Sequence, residues 1–299
     1  MKQNPHFFSL ENRAWQLLVL LALGITWGSS FILMKQGLKG FNGFEVAVIR
    51  LSFSFLFLLP FLWKDLRGIP AKKYLWLALA GWLGNGLPAF LFAIGLSKIN
   101  SSLGGIINST APIFTLIIGS TLFGLHFKKA AIGGVLIGLA GTVYLVATGS
   151  GGGDSSNLYY ALLPLLGSVC YGFSTNIIKM RLQELKPLVV TGGALSFVAP
   201  VVIPAMFIMG LPSEAMQDAV HGTAFFYSAL LGVVGTSLAV LVFNYLIKHT
   251  SVLFAASVTY IIPVFAMAWG FIFGEDITVH YFLGMGVIIL GVWLVNRAK

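Results

Sequence analysis

Arg50 is the one Lys or Arg well inside a long apolar run, EVAVIRLSFSFLFLLPF. A cation at that depth costs about 2.5–3.5 kcal/mol on insertion scales unless it is paired or hydrated, so it must face protein or water. Two uses remain open: drawing an anionic group out of water, or a structural tether to Glu45, five residues earlier, or to helix-end carbonyls. The other polar side chains deep in apolar runs are neutral. Trp27, Ser29 and Ser30 share one run, Tyr171, Ser174 and Asn176 another, and Asn85, Asn108, Thr236 and Thr259 with its neighbour Tyr260 are spread over four more. Hydrocarbon satisfies none of them, so each must face another helix or a water-filled space. They suit one of two tasks, replacing the hydration of a small solute or bonding a neighbouring helix for about 0.6 kcal/mol. Asn244 lies near the end of its run, where packing is the better use.

Bond-making chemistry has little to work with. No Asp or Glu sits at the centre of an apolar run, all five His lie in or beside loops, and the single Cys170 is within a run. No catalytic residue, metal or cofactor is therefore expected. The Gly-rich stretch GSGGGDSS from Gly149 has no Lys after it and reads as a flexible connection, not a phosphate loop.

The elements that must hold these residues are membrane helices. Hydrophobic residues make up 58% of the 299, charged residues 9%, and the mean hydropathy is +0.92. Soluble domains carry about 25% charged residues. The apolar runs approach the roughly 20 residues that cross the hydrocarbon as helix, and lack the short alternation of a β-barrel. Ten are expected, at 15–34, 44–63, 74–96, 102–125, 130–147, 158–180, 188–211, 223–247, 251–274 and 280–295. The first is long enough to span and has no A-x-A cleavage pattern, so it reads as retained.

The net charge of +9 fits topology better than nucleic acid, because Lys and Arg sit in short clusters between runs. With the N-terminus inside, Lys72, Lys73, Lys128, Lys129, Arg181, Lys186, Arg297 and most other cations fall on one side, and only Lys35, Lys39 and Lys98 on the other. Cationic loops stay cytoplasmic, which places both termini in the cytoplasm and Asp154, Glu214, Asp218, Glu275 and Asp276 outside.

Sliding one half of the chain over the other brings out a repeat. TWGSSFILMK from Thr26 matches CYGFSTNIIK from Cys170, pairing Gly28 with Gly172, Ser30 with Ser174 and Lys35 with Lys179. The register continues through Arg50 and Ala194, Gly81 and Gly232, Asn85 and Thr236, Phe92 and Phe243, Asn108 and Thr259, and Pro112 and Pro263. Each proline removes a backbone donor, so a hinge is expected at both. The organisation expected is a first five-helix unit at 1–148, an extracytoplasmic Gly/Ser linker at 149–157, and a second unit at 158–299. Five spans is an odd number, so the second unit enters upside down, an arrangement that recurs in transporters.

With W-G-S-S-F in the first run, Ala111-Pro112 in the fourth, and F-G-E-D-I-T from Phe273 before the last, the chain resembles the EamA-type transporters of the drug/metabolite transporter superfamily over nearly its whole length. The resemblance implies a small-molecule substrate, an amino acid or related metabolite, often exported across the cytoplasmic membrane. One departure is visible: the acidic residue before the fifth helix is Glu275 in the second half and Leu125 in the first. Alternating access without strong proton coupling is the expected mechanism, since buried carboxylates and histidines are lacking. The partners expected are the solute and the lipid bilayer, not nucleic acid. The glycine-rich runs at 133–141 and 284–291 suit close packing or a homodimer contact. An intramembrane enzyme on a lipid-linked substrate and a non-transporting interaction protein are the competing functions.

Overall fold

The computed structural model describes residues 13–62, 68–125, 129–149 and 155–297. Lys2, Lys64, Arg67, Lys128 and Lys299, and linker residues 150–154, lie outside them. Among the described residues the chain is all helical, with no strand. The helices are α1 (Arg13–Gly37), α2 (Gly43–Leu62), α3 (Ala71–Leu96), α4 (Ser101–Leu122), α5 (Lys129–Gly149), α6 (Ser155–Arg181), α7 (Pro187–Ser196), α8 (Ala199–Ile208), α9 (Ala219–His249), α10 (Phe254–Ile272) and α11 (Val279–Arg297). Seven of them are long and apolar enough to cross a membrane, and the pair α7 and α8 adds an eighth if its two pieces are one span.

That pair differs from the sequence expectation of one straight run at 188–211. Its axes diverge by 50°. Pro200 lacks the N–H that would bond the carbonyl of Ser196, so the helix cannot pass through that turn unbroken. α4 is interrupted at Ser109 and Thr110, whose hydroxyls turn back onto the carbonyls of Ile106 and Ile107 at 2.6 and 2.7 Å, just before Pro112. α10 contains a 3-10 turn, Ser257–Tyr260, just before Pro263. Both proline positions therefore adjoin a break in their helix.

α3 and α9 each contain a widened π turn, Trp82–Gly86 and Leu231–Leu238. Pro88 follows the first closely and leaves the carbonyl of Gly84 without its usual donor. Gly81, just before the first turn, and Gly232, near the start of the second, allow close helix approaches. A Cβ at Gly232 would strike the carbonyl oxygen of Arg50, and a Cβ at Gly81 that of Ala194. The two contacts are reciprocal in the register of the repeat. Gly84 likewise lies against Ser174 Oγ, and Gly235 against Ser30 Oγ.

Inward faces are closely packed, with Val46, Ile49, Leu58, Leu103 and Ile106 almost wholly buried. Large apolar side chains also cover the outside, among them Leu18, Phe61, Phe207, Ile208 and Phe271. An apolar exterior over a packed interior suits hydrocarbon as the surrounding solvent. α5 and α11 lie along each other away from the centre, which leaves α1–α4 and α6–α10 to surround the middle of the molecule.

Candidate functional site: a central cavity between the helices

A cavity of about 110 Å³ lies in the middle of the molecule. α1 contributes Trp27, Ser30, Phe31 and Met34, and α2 contributes Arg50. α3 and α4 supply Asn85, Phe92, Asn108 and Thr115, α6 supplies Tyr171, Ser174 and Thr175, α9 supplies Phe243 and Asn244, and α10 supplies Thr259. Eight of the eleven residues expected from sequence are brought together here: Trp27, Ser30, Arg50, Asn85, Asn108, Tyr171, Ser174 and Thr259. Asn176, Thr236 and Tyr260 lie off the wall, as do Pro112 and Pro263.

Aromatic rings form much of the wall. Phe92 stacks on Tyr171 with centroids 5.8 Å apart and an interplanar angle of 27°, and Phe31 meets Phe92 edge-on at 5.9 Å. Trp27 meets Phe243 edge-on at 5.1 Å, and its indole N–H donates to the carbonyl of Gly235 at 2.9 Å. That carbonyl belongs to the π turn of α9.

Among the described residues Arg50 is the one charged residue lining the cavity. Its Nε donates to Thr236 Oγ1 at 2.8 Å. The tether to Glu45 is not formed. Glu45 instead accepts from the backbone N–H of Asn42 at 2.8 Å, while Asn42 Oδ1 accepts from the N–H groups of Phe44 and Glu45, a reciprocal cap on the start of α2.

Two carboxamides on the wall carry unmet acceptors. Asn108 Oδ1 and Asn244 Oδ1 are buried without a hydrogen-bond partner. Asn244 Nδ2 donates to Thr191 Oγ1 at 2.9 Å, which fixes the side chain while its oxygen stays unpaired. Asn176, off the wall, also has an unpaired Oδ1, but its Nδ2 donates to the carbonyls of Thr115 and Gly172, both at 2.8 Å, joining α6 to α4. The Thr259 hydroxyl donates to the carbonyl of Ala256 at 2.9 Å within the 3-10 turn.

The two ends of the cavity differ. At one end Glu275 receives four hydrogen bonds, from the backbone N–H and hydroxyl of Ser101 at 2.8 and 2.6 Å and from those of Ser102 at 3.2 and 2.9 Å. The carboxylate thereby caps the start of α4. Asn100, the N-cap of that helix, accepts from Leu103 N–H at 3.0 Å and donates to Tyr281 OH at 2.7 Å. Trp269 Nε1 donates to Ser29 Oγ at 2.8 Å on the same side. At the other end a smaller cavity, lined by Gln183, Leu185 and Lys248, shares Ile178, Val190 and Asn244 with the central one. Here Lys179 Nζ donates to the carbonyls of Ile247 and Thr250, Lys73 pairs with Glu184 and donates to the carbonyl of Arg181, and Arg181 lies 4.9 Å over the ring of Trp76.

A solute replacing water in this space would meet one guanidinium, several neutral hydrogen-bonding groups and aromatic faces. The profile of the EamA-like transporter family matches the chain twice, at residues 14–147 and 158–297. The chain belongs to the EamA-like transporter family. It is 31% identical over 288 residues to the inner membrane transporter YedA of Escherichia coli K12, covering 94% of this chain and 90% of that one. It is similar at 27% over 285 residues to the transporter YdfC of Bacillus subtilis, covering 91% and 87%. A relative from Streptantibioticus cattleyicolor named "Probable terminal-alkyne amino-acid exporter" is 22% identical over 293 residues, covering 96% and 94%. One solved chain, described only as a protein, shares the fold with a TM-score of 0.69 at 15% identity, over 96% of this chain and 99% of that one.

Within the EamA-like chain, sequence reading favours packing for Asn244, because it lies near a run's end, whereas the structure places it on the cavity wall. Phe92 and Phe243 served there only as markers of the repeat, yet both line the cavity. Their pairing across the two halves was the signal available, since a matched aromatic is conspicuous only when its partners on other helices are known.

Proposed function

We propose that this chain carries a small carboxylate-bearing metabolite, an amino acid or a related compound, out across the cytoplasmic membrane by alternating access. The observation that carries this reading is Arg50: one guanidinium in the wall of a cavity whose lining residues include no carboxylate. A buried charge without a counter-ion is costly, and a solute carboxylate supplies the missing charge with two parallel hydrogen bonds. The carboxamides of Asn108 and Asn244 add neutral hydrogen-bonding groups to the wall, and the aromatic rings take an apolar body. The relative named as an amino-acid exporter supports the same substrate class.

The machinery proposed is two five-helix units of opposite orientation, 1–148 and 158–299, joined at 149–157. Counting α7 and α8 as one span, and α5 and α11 as spans, gives ten. Support comes from the double family match and from the reciprocal contacts of Gly81 with Ala194 and Gly232 with Arg50. Both termini then lie in the cytoplasm, an orientation the Lys and Arg distribution supports, and the Glu275 side faces outward.

The deciding experiment is uptake into proteoliposomes of a panel of radiolabelled amino acids and other metabolites, with and without a pH gradient. Flux of carboxylated solutes that is insensitive to the pH gradient is expected. Arg50→Ala should depress carboxylated solutes selectively; an equal loss for neutral and carboxylated solutes would leave Arg50 a structural residue and remove the proposal's main support.

A further inference from the structure

Thr236 was expected on the cavity wall, yet it lies behind it, 1% exposed, with its hydroxyl against Arg50 Nε at 2.8 Å. We propose that Thr236 is the positioning residue for Arg50: it occupies Nε and so leaves the two terminal nitrogens as a fixed fork for the solute. This inference rests on reading Arg50 as the carboxylate pole.

Three observations support it. First, a guanidinium recognises a carboxylate through two parallel N–H bonds, which requires its plane to be held. A long side chain on α2 has no such restraint of its own, and the Thr236 bond provides one. Second, the hydroxyl is itself oriented. It lies 3.4 Å from the carbonyl of Leu231, five residues back, the spacing of a π turn. Spending its hydrogen there leaves its lone pairs for Arg50.

Third, the π turn is fastened to α2 at this level. Gly232 lies against the Arg50 carbonyl, and Ser237, the next residue after Thr236, donates to Ser54 O at 2.6 Å, one turn along α2 from Arg50. The equivalent pair in the repeat shows what happens without the cation. Ala194 stands where Arg50 would be, it has nothing to orient, and Asn85, the counterpart of Thr236, lines the cavity instead.

The test uses the full chain in lipid nanodiscs with 15N-labelled arginine, the Arg50 Nε signal being assigned by its loss in Arg50→Lys. Two probes share one aromatic body: 3-phenylpropionate carries only the carboxylate, phenethylamine only the ammonium. Thr236→Val is expected to speed hydrogen exchange at Arg50 Nε and to weaken 3-phenylpropionate about tenfold, the scale of one hydrogen bond to a charged group. Phenethylamine should be unaffected, and Thr236→Ser should restore both readouts.

If Arg50→Ala abolishes 3-phenylpropionate binding while Thr236→Val changes neither readout, the positioning role alone is overturned. Equal weakening of both probes by Thr236→Val, without rescue by serine, also overturns it and leaves a packing role. If no form of the protein shows Arg50-dependent binding of 3-phenylpropionate, the carboxylate reading falls and takes this inference with it.

Discussion

Asn108 and Asn176 are the same residue type at similar depth, and the structure gives them opposite employment. Asn176 spends its amide on two carbonyls at 2.8 Å and is fully buried. Asn108 lines the cavity, whereas Asn176 lies off it, and the side-chain oxygen of each is without a hydrogen-bond partner. Asn176→Ala should therefore lower thermal stability by about 0.6–1.7 kcal/mol, the range of interhelical bonds in lipid, with solute affinity unchanged in a binding assay on the folded fraction. Asn108→Ala should do the reverse, reducing flux several-fold in proteoliposomes while the melting temperature stays within a degree or two. Unchanged flux would remove Asn108 from the solute's path. Sequence named both as candidates because depth in an apolar run is legible. Which way an amide turns around the helix depends on the neighbour it meets, and Thr115, the acceptor for Asn176, lies 61 residues away.

Among the elements, the start of α4 depends on a residue from the far end of the chain. Glu275 reaches Ser101 and Ser102 across 174 and 173 positions. It follows Gly274, whose φ of 80° ends α10 in the left-handed conformation that glycine adopts without strain. Anions are favoured at helix N-termini by the unsatisfied N–H groups and the helix dipole. Glu275→Ala should cost about 1.5–3 kcal/mol in unfolding free energy, as expected for hydrogen bonds to a charged group. Thermal melts in detergent check this, and a drop no larger than that of an exposed surface variant would mean the cap is dispensable.

The presence of Glu275 and the absence of its equivalent at Leu125 were visible in sequence, and its partners were not. Start α10 shows why the loss is tolerated there: Ser251 Oγ accepts locally from Phe254 N–H at 3.2 Å. The breaks in α4 and α10 were legible from Pro112 and Pro263. The π turns were not, because a widened turn has no residue signature of its own.

At the opposite end, the Glu184 carboxylate is held below its ordinary value by the hydrogen bond and charge of Lys73. A carboxyl group with a lowered folded pKa stabilises the fold fully above its unfolded value and loses that contribution as pH falls through the folded value. Melting temperatures of wild type and Lys73→Met should accordingly differ at neutral pH and converge in acid. A difference that persisted at the lowest pH would assign the effect to the Lys73 bond with the Arg181 carbonyl instead.

For the molecule as a whole, the sequence expectation that lasted best was its helical, membrane-spanning character, because composition alone carries that. The paired, oppositely inserted units make a sharper claim. With Cys170 replaced, cysteines at Lys72 and Gln183 should react with an impermeant maleimide from the cytoplasmic side, and cysteines at Asp218 and Asp276 from the other. Finding Lys72→Cys and Gln183→Cys on different sides would dismantle the arrangement.

In the proposed orientation the fourfold grip of Glu275 on the start of α4 lies toward the outer side, while the Lys-rich end of the central cavity adjoins a second, smaller one. On that proposal an unloaded carrier would rest turned toward the cytoplasm, and reorienting while empty would first break that grip without any solute to compensate. Return of the vacant protein would then limit turnover. Supplying solute on the opposite face should consequently hasten tracer movement beyond the net rate, a trans-stimulation that Glu275→Ala would diminish.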